Sequence, residues 1–183
     1  SSDLTDIALG KKLLAESGYD GTPIVIMQST DVDSLNNLAP VAADALKKVG
    51  FKIDLQAMDW QTLVSRRSKK DAPGNVGWNL FMTAWTAADI LNPIMAQGYR
   101  ANCGDAWFGW PCDEKMEALR DRFARETNES EQKLIAEEIQ VRAMEVVTHA
   151  HAGQWYRPSA WRSDKLSGVL DGPAPFFWNI TKK

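Results

Sequence analysis

Only two cysteines and two histidines occur among the 183 residues, and neither CxxC spacing nor an HExxH pair is present. A cysteine-rich disulfide scaffold and a thiolate zinc site are thereby excluded. No GxSxG elbow, GxxxxGK(S/T) loop or GxGxxG turn occurs either, so the usual nucleophile, phosphate and dinucleotide signatures fail. No apolar run is long enough for a membrane-spanning helix, and there is no repeat or low-complexity tract. Positive charge is not in excess: 21 Lys and Arg against 24 Asp and Glu leave a formal net charge of -3. Nucleic acid and anionic membranes are bound by clustered Lys and Arg, so neither is expected as a partner.

What remains is an ordinary globular composition, 44% hydrophobic and 25% charged, with enough residues for one substantial core. Eight tryptophans are the exception, several times average usage, and some of them are expected to face a ligand. The opening SSDLTDIALGKKLLAESGYD starts abruptly in a helical pattern and carries no export signal. It reads as the start of a piece excised from a longer protein.

Ile7, Leu9, Leu13 and Leu14 recur at helical spacing before Gly18, predicting a helix from Leu4 to Glu16. PIVIM at 23–27 is a short apolar, β-branched run of the kind buried on both faces of a parallel sheet. Leu38, Val41, Ala42, Ala45, Leu46 and Val49 trace one helix face, capped by Asp33 or Ser34 and ended by Gly50. FKIDLQAMD then alternates as a second strand, completing a βαβ unit. WQTLVSRRSKK predicts a short helix with Arg66, Arg67, Lys69 and Lys70 as its solvated end, and WNLFMTAW a third strand. DEKMEALRDRFARET is an amphipathic helix with Met116, Leu119 and Phe123 inward. After Asn128 a longer one follows through Leu134, Ile135, Ile139, Ala143 and Val146. The aromatic stretch from GQWYRPSAW to FFWNI predicts short returning strands. The fold expected is α/β: a mostly parallel sheet with flanking helices.

In open α/β sheets ligands bind at the carboxyl ends of the strands. That rim takes in Gln28, Ser29, Thr30 and Asp31 after strand one, and MTAWTAADILNP after strand three. Asp89 is the single carboxylate of that second segment. A half-dehydrated acid is costly without a partner. Either it caps a segment starting near Asn92, or its partner arrives with the ligand, most naturally as an ammonium group, with Trp85 as a flat wall. GDAWFGWP sets Trp107, Phe108 and Trp110 in one loop, folded under the domain or shaped around a ligand. Cys103 and Cys112 flank it, and a bridge would close a loop of about ten residues; two free buried cysteines are the alternative. His149 and His151 would aim the same way in a strand and could hold a metal with two further ligands. No acidic or cysteine partner stands nearby in sequence, so they are read as a helix-end pair suited to the macrodipole, with no metal.

GKKLLAESGYDGTPIVIM, the Trp and Asp before a Pro, PCDEKMEALRDRFARETNESEQKLIAEEIQ and the closing SGVLDGPAPFFWN together resemble one family over nearly the whole chain. It is the large substrate-binding proteins of ABC importers, the dipeptide, oligopeptide and nickel class, family 5 of the extracellular solute-binding proteins. The resemblance implies an exported, periplasmic or extracellular two-lobe receptor that closes on a ligand without turnover and delivers it to a membrane permease. Residues 1–183 would be a single α/β lobe of the periplasmic-binding-protein type II-like kind. Roughly the last 20 residues would be shared with the hinge or the absent first lobe. Export also favours the Cys103–Cys112 bridge.

In peptide-binding members an aspartate after this Trp pairs with the peptide's α-amino group, and the resemblance assigns that role to Asp89. The spacing departs from the pattern: four residues after Trp85 rather than three, although the count back from Pro93 agrees. Asn92 stands where relatives commonly carry Asp. Trp85, Thr86, Asn92, Asp31, Trp107 and Trp110 complete the expected ligand-binding set, and no cofactor is expected. The same lobe could instead hold a glycan, a nickel complex or an opine. Rivals of another class are a hydrolase pairing Asp89 with Asp31 or Asp105, and a flavodoxin-like module acting through Asp31 and Asp33.

Overall fold

The computed structural model describes residues 6–172 and 176–183, in two compact units, residues 1–84 and 85–183. In the first unit, helix α1 (Ile7–Glu16) leads to strand β1 (Ile24–Ser29). Helix α2 (Leu38–Val49), strand β2 (Ile53–Met58), helix α3 (Trp60–Arg66) and strand β3 (Leu80–Phe81) follow. The sheet order is β2-β1-β3. Both pairings are parallel, running from Ile24↔Ile53 to Ser29↔Met58 and including Ile26↔Leu80. The central strand is the apolar run, because only there are both faces covered. Ile26 packs with Ala39 and Ala43 of α2, while Val25 and Met27, on the opposite face, are equally buried. The α/β class and the βαβ unit are as the sequence pattern predicts.

Local chemistry sets several details that the pattern does not. Gly10 allows α1 to approach α2, since a Cβ there would lie 2.9 Å from Val49 Cγ2. α2 is preceded by Asn37, which makes no side-chain cap, so neither Asp33 nor Ser34 caps it. The third strand is shorter than WNLFMTAW suggests. Its pairing is extended by Asn79, whose side-chain oxygen accepts from Val25 N (2.9 Å) while its N–H donates to Val25 O (3.0 Å). Arg66 and Arg67 are not simply a solvated helix end. Arg66 donates to Val76 O at 2.7 Å and Gly77 O at 2.8 Å, pinning the loop before β3, and Arg67 lies 5.7 Å from the Trp60 ring. Lys69 and Lys70 are exposed, as expected.

The second unit begins with a single helical turn, α4 (Ala87–Ile90), and is built on helices α5 (Glu114–Arg125) and α6 (Glu129–Val146). Met116, Leu119, Ile135, Ile139 and Ala143 form its core with Ala101, and Tyr99, Phe123 and Val146 pack at the edge. Leu134, expected inward, is 52% exposed: Ile135 and Ile139 take the facing row, and their neighbour is rotated away by about 100° in a 3.6-residue helix. Asp113 and Asn128 cap the two helices by accepting from Met116 N and from Ser130 N and Glu131 N. Residues 149–162 form no regular element, so the strands predicted from GQWYRPSAW are absent. The return is a two-residue antiparallel pair, β4 (Leu166–Ser167) with β5 (Thr181–Lys182). Part of the closing aromatic motif, residues 173–175, lies outside the described residues.

Candidate functional site

The sequence-predicted rim after β1 is held by its own unit. Gln28 donates to Asn36 O (2.8 Å), Thr30 Oγ1 to Met58 O (3.2 Å), and buried Ser29 Oγ to Asp31 Oδ1 (3.1 Å). Asp31 Oδ1 also accepts from Trp60 N at 2.8 Å, the first residue of α3. One oxygen of Asp31 therefore anchors a helix start.

The segment after β3 behaves differently. Thr86 precedes α4 in extended geometry, and its hydroxyl donates to Asp89 Oδ2 at 2.8 Å. Asp89 thus lies in the first turn of α4 rather than capping a segment at Asn92, whose own side chain accepts from Ile94 N (2.8 Å). Among the described residues no other donor reaches the Asp89 carboxylate, and the residue is exposed. An exposed apolar surface continues beyond it, with Leu91 80% and Met95 61% accessible. Two pockets in the second unit, of about 340 and 200 Å³, are lined by other residues.

This segment is rigidly based. Arg120, buried on the inner side of α5, donates to Pro93 O (3.3 Å) and Ile94 O (3.1 Å) and pairs with Glu117 at 2.8 Å. Glu117 in turn accepts from Ala101 N at 2.7 Å. A guanidinium with five donors suits this task, since it neutralises one carboxylate and still satisfies two carbonyls. Sequence reasoning missed Arg120. The available signal was a charged residue one position after Leu119 on the inward row of an otherwise regular amphipathic helix.

The aromatic loop is closed by a Cys103–Cys112 disulfide, and Asn102 and Cys112 form an antiparallel bridge at its neck. Cys103 (φ 61) and Trp110 (φ 48) both adopt left-handed backbone, which turns the chain sharply. Trp107 meets Trp85 with ring centroids 4.9 Å apart and Phe108 at 5.2 Å. The loop is therefore folded onto the tryptophan that precedes Asp89, leaving these rings half-buried. Asp105 is exposed. The structure brings together Trp85, Trp107 and Phe108 on one side, and Thr86 with Asp89 on the other.

Among the described residues no group of three or more His, Cys, Asp or Glu is placed to hold a metal ion, and no helix is long and apolar enough to cross a membrane.

Known proteins resemble this chain in sequence and in fold. The family model for bacterial extracellular solute-binding proteins, family 5 (middle region), matches residues 1–104. A protein of Sinorhizobium fredii, named "probable peptide ABC transporter periplasmic-binding protein", is 37% identical over 172 residues. That alignment spans 94% of this chain and 32% of the relative, so the chain corresponds to about a third of that protein's length. The ABC transporter substrate-binding protein CtaP from Listeria monocytogenes superposes with a TM-score of 0.64 at 21% identity, over 78% of this chain and 28% of that one. A dipeptide-binding protein from a Pseudoalteromonas species, solved with Met-Leu, gives 0.63 at 17% identity, over 96% and 35%. With more than half of its residues matched by the family model and its parallel α/β fold shared with these structures, the chain belongs to the family 5 bacterial extracellular solute-binding proteins.

Proposed function

We propose that residues 1–183 form one lobe of an exported ABC-importer receptor that binds peptides without turning them over and hands them to a membrane permease. The observation that carries this reading is the Asp89 carboxylate, exposed and holding a single internal hydrogen bond from Thr86. A carboxylate so lightly engaged keeps acceptor positions for an incoming ammonium group. The printed name of the Sinorhizobium fredii relative supports peptide as the ligand class.

In this reading Thr86 orients Asp89, and Trp85, backed by Trp107, is the wall beside the peptide. Asn92 and Trp110 border the site. The first lobe of the same receptor supplies the facing half, the final residues run into the hinge, and the receptor works outside the cytoplasmic membrane. Catalysis is not part of the reading, and no cofactor is needed: binding energy is spent on lobe closure, which is the signal to the permease.

The test is Asp89→Asn in the intact receptor. Affinity for peptides with a free amino terminus should fall by about 1.5–3 kcal/mol, the range for a hydrogen bond to a charged group. Acetylated peptides should bind the wild type as weakly as free peptides bind the variant. Equal affinity of the two proteins for free peptides would remove Asp89 from the role.

A further inference from the structure

Away from the Asp89 segment, the two histidines of the chain meet. His149 Nε2 lies 3.2 Å from His151 Nε2. His149 Nδ1 is 3.1 Å from Gly98 O. Thr148 Oγ1 lies 3.1 Å from the same nitrogen; with the Nδ1 proton on the Gly98 carbonyl, Nε2 of His149 presents a bare lone pair. This is the outer-shell arrangement that orients metal-binding imidazoles. Gly98 is glycine for this contact: a Cβ there would lie 2.9 Å from His149 Nδ1.

The separation of the two nitrogens is informative. Two imidazoles bound to one ion at about 2.05 Å and lying 3.2 Å apart subtend roughly 100° at the metal, between square-planar and tetrahedral values. Both rings also line a pocket of about 200 Å³ with Tyr99, Gln140, Ala143 and Met144. That pocket has room for an ion with its remaining water or donor ligands, and it brings a thioether to the same rim.

We propose that His149 and His151 form a two-imidazole site for a divalent transition-metal ion, strongest for Cu2+, with Met144 as a soft donor at its edge. Neutral nitrogen and sulfur donors, with no carboxylate in the pocket lining, select against Mg2+ and Ca2+. Among divalent first-row ions the affinity order peaks at Cu2+. The site is separate from the proposed peptide role of Asp89 and stands whether or not that role holds.

The experiment titrates Cu2+ into the full chain without a polyhistidine tag, followed by electron paramagnetic resonance, with Zn2+ and Mg2+ as parallel arms. One equivalent should bind with hyperfine structure from two imidazole nitrogens, Zn2+ more weakly, and Mg2+ not at all. His151→Gln, at an exposed ring, should weaken Cu2+ binding at least tenfold, and the pair His149→Gln and His151→Gln should leave only background. Met144→Leu should weaken binding less, about threefold. Circular dichroism on each variant confirms folding. If His151→Gln, folded, binds Cu2+ within threefold of the wild type, or the bound ion shows fewer than two imidazole nitrogens, the proposal is overturned. It is equally overturned if nitrogen NMR of the apo chain shows a His151 Nε2–H···Nε2 His149 hydrogen bond unmoved by the metal.

Discussion

Asp113 at the start of α5 is gripped by Arg142 from α6: Arg142 Nε donates to Asp113 Oδ1 at 3.0 Å, and a second guanidinium nitrogen meets Oδ2. The same carboxylate caps its own helix at Met116 N, 2.7 Å away. One acid therefore satisfies a helix end and ties the two helices of the second unit together.

That double use has a pH signature. The Arg142 hydrogen bond, with the Met116 N–H in support, holds Asp113 below the usual carboxylate range. A depressed native value means the contribution is complete above the unfolded carboxyl pKa of about 3.9 and is lost as pH falls through the lower native value. Asp113→Ala should lower stability at neutral pH by about 1–2 kcal/mol through the cap. It should also flatten the acid limb of a urea-midpoint against pH curve below about pH 4. An acid limb identical to the wild type would sink the assignment.

Arg120 predicts a larger effect. Replacing it by Met leaves Glu117 without its partner and the Pro93 and Ile94 carbonyls without a donor. Breaking a buried pair in this way costs about 3 kcal/mol or more. Urea unfolding should report that loss. Hydrogen exchange should show faster opening at residues 94–96, and unchanged exchange there would mean that Arg120 does not hold the Asp89 segment.

Replacing Cys103 and Cys112 together by Ser frees a loop with a sequence separation of 9. The chain-entropy relation gives a cost of about 2.5 kcal/mol. Because Trp107 in that loop packs on Trp85, near-ultraviolet circular dichroism should weaken as well. A double variant with the wild-type aromatic signal would show that the ring contact does not depend on the closed loop.

The chain alone should bind dipeptides weakly, no tighter than the micromolar range, since one lobe offers only part of the contacts that a closed cleft provides. Calorimetric titration of Met-Leu into the 183-residue chain decides this. Nanomolar affinity would overturn the two-lobe proposal.

The regular elements were legible because hydrophobic periodicity reports burial directly. PIVIM becomes the central strand, and the amphipathic rows around Met116 and Ile139 become a packed helix pair. Boundaries and caps were less so. Asn37 rather than Asp33 or Ser34 precedes α2, and Leu134 faces out although it fits the apolar pattern. At the candidate site the residue types were readable, but their engagements were not. Asp31 and Asp89 look alike in sequence; one anchors Trp60 N and the other, among the described residues, meets only Thr86. That difference arises from contacts with α3, distant along the chain, which no local window contains.

By itself the sequence determined the α/β class, the parallel βαβ core and the family, since alternation, helical period and an ordered set of motifs are properties of neighbouring residues. Tertiary structure alone decided that Trp107 folds onto Trp85, that Arg120 clamps the Pro93 segment and that the two histidine rings converge. Each of those depends on where side chains from different elements end up in space. The cost of burying an unpaired polar group, and the gain from packing aromatic surface, then fix which of them pair.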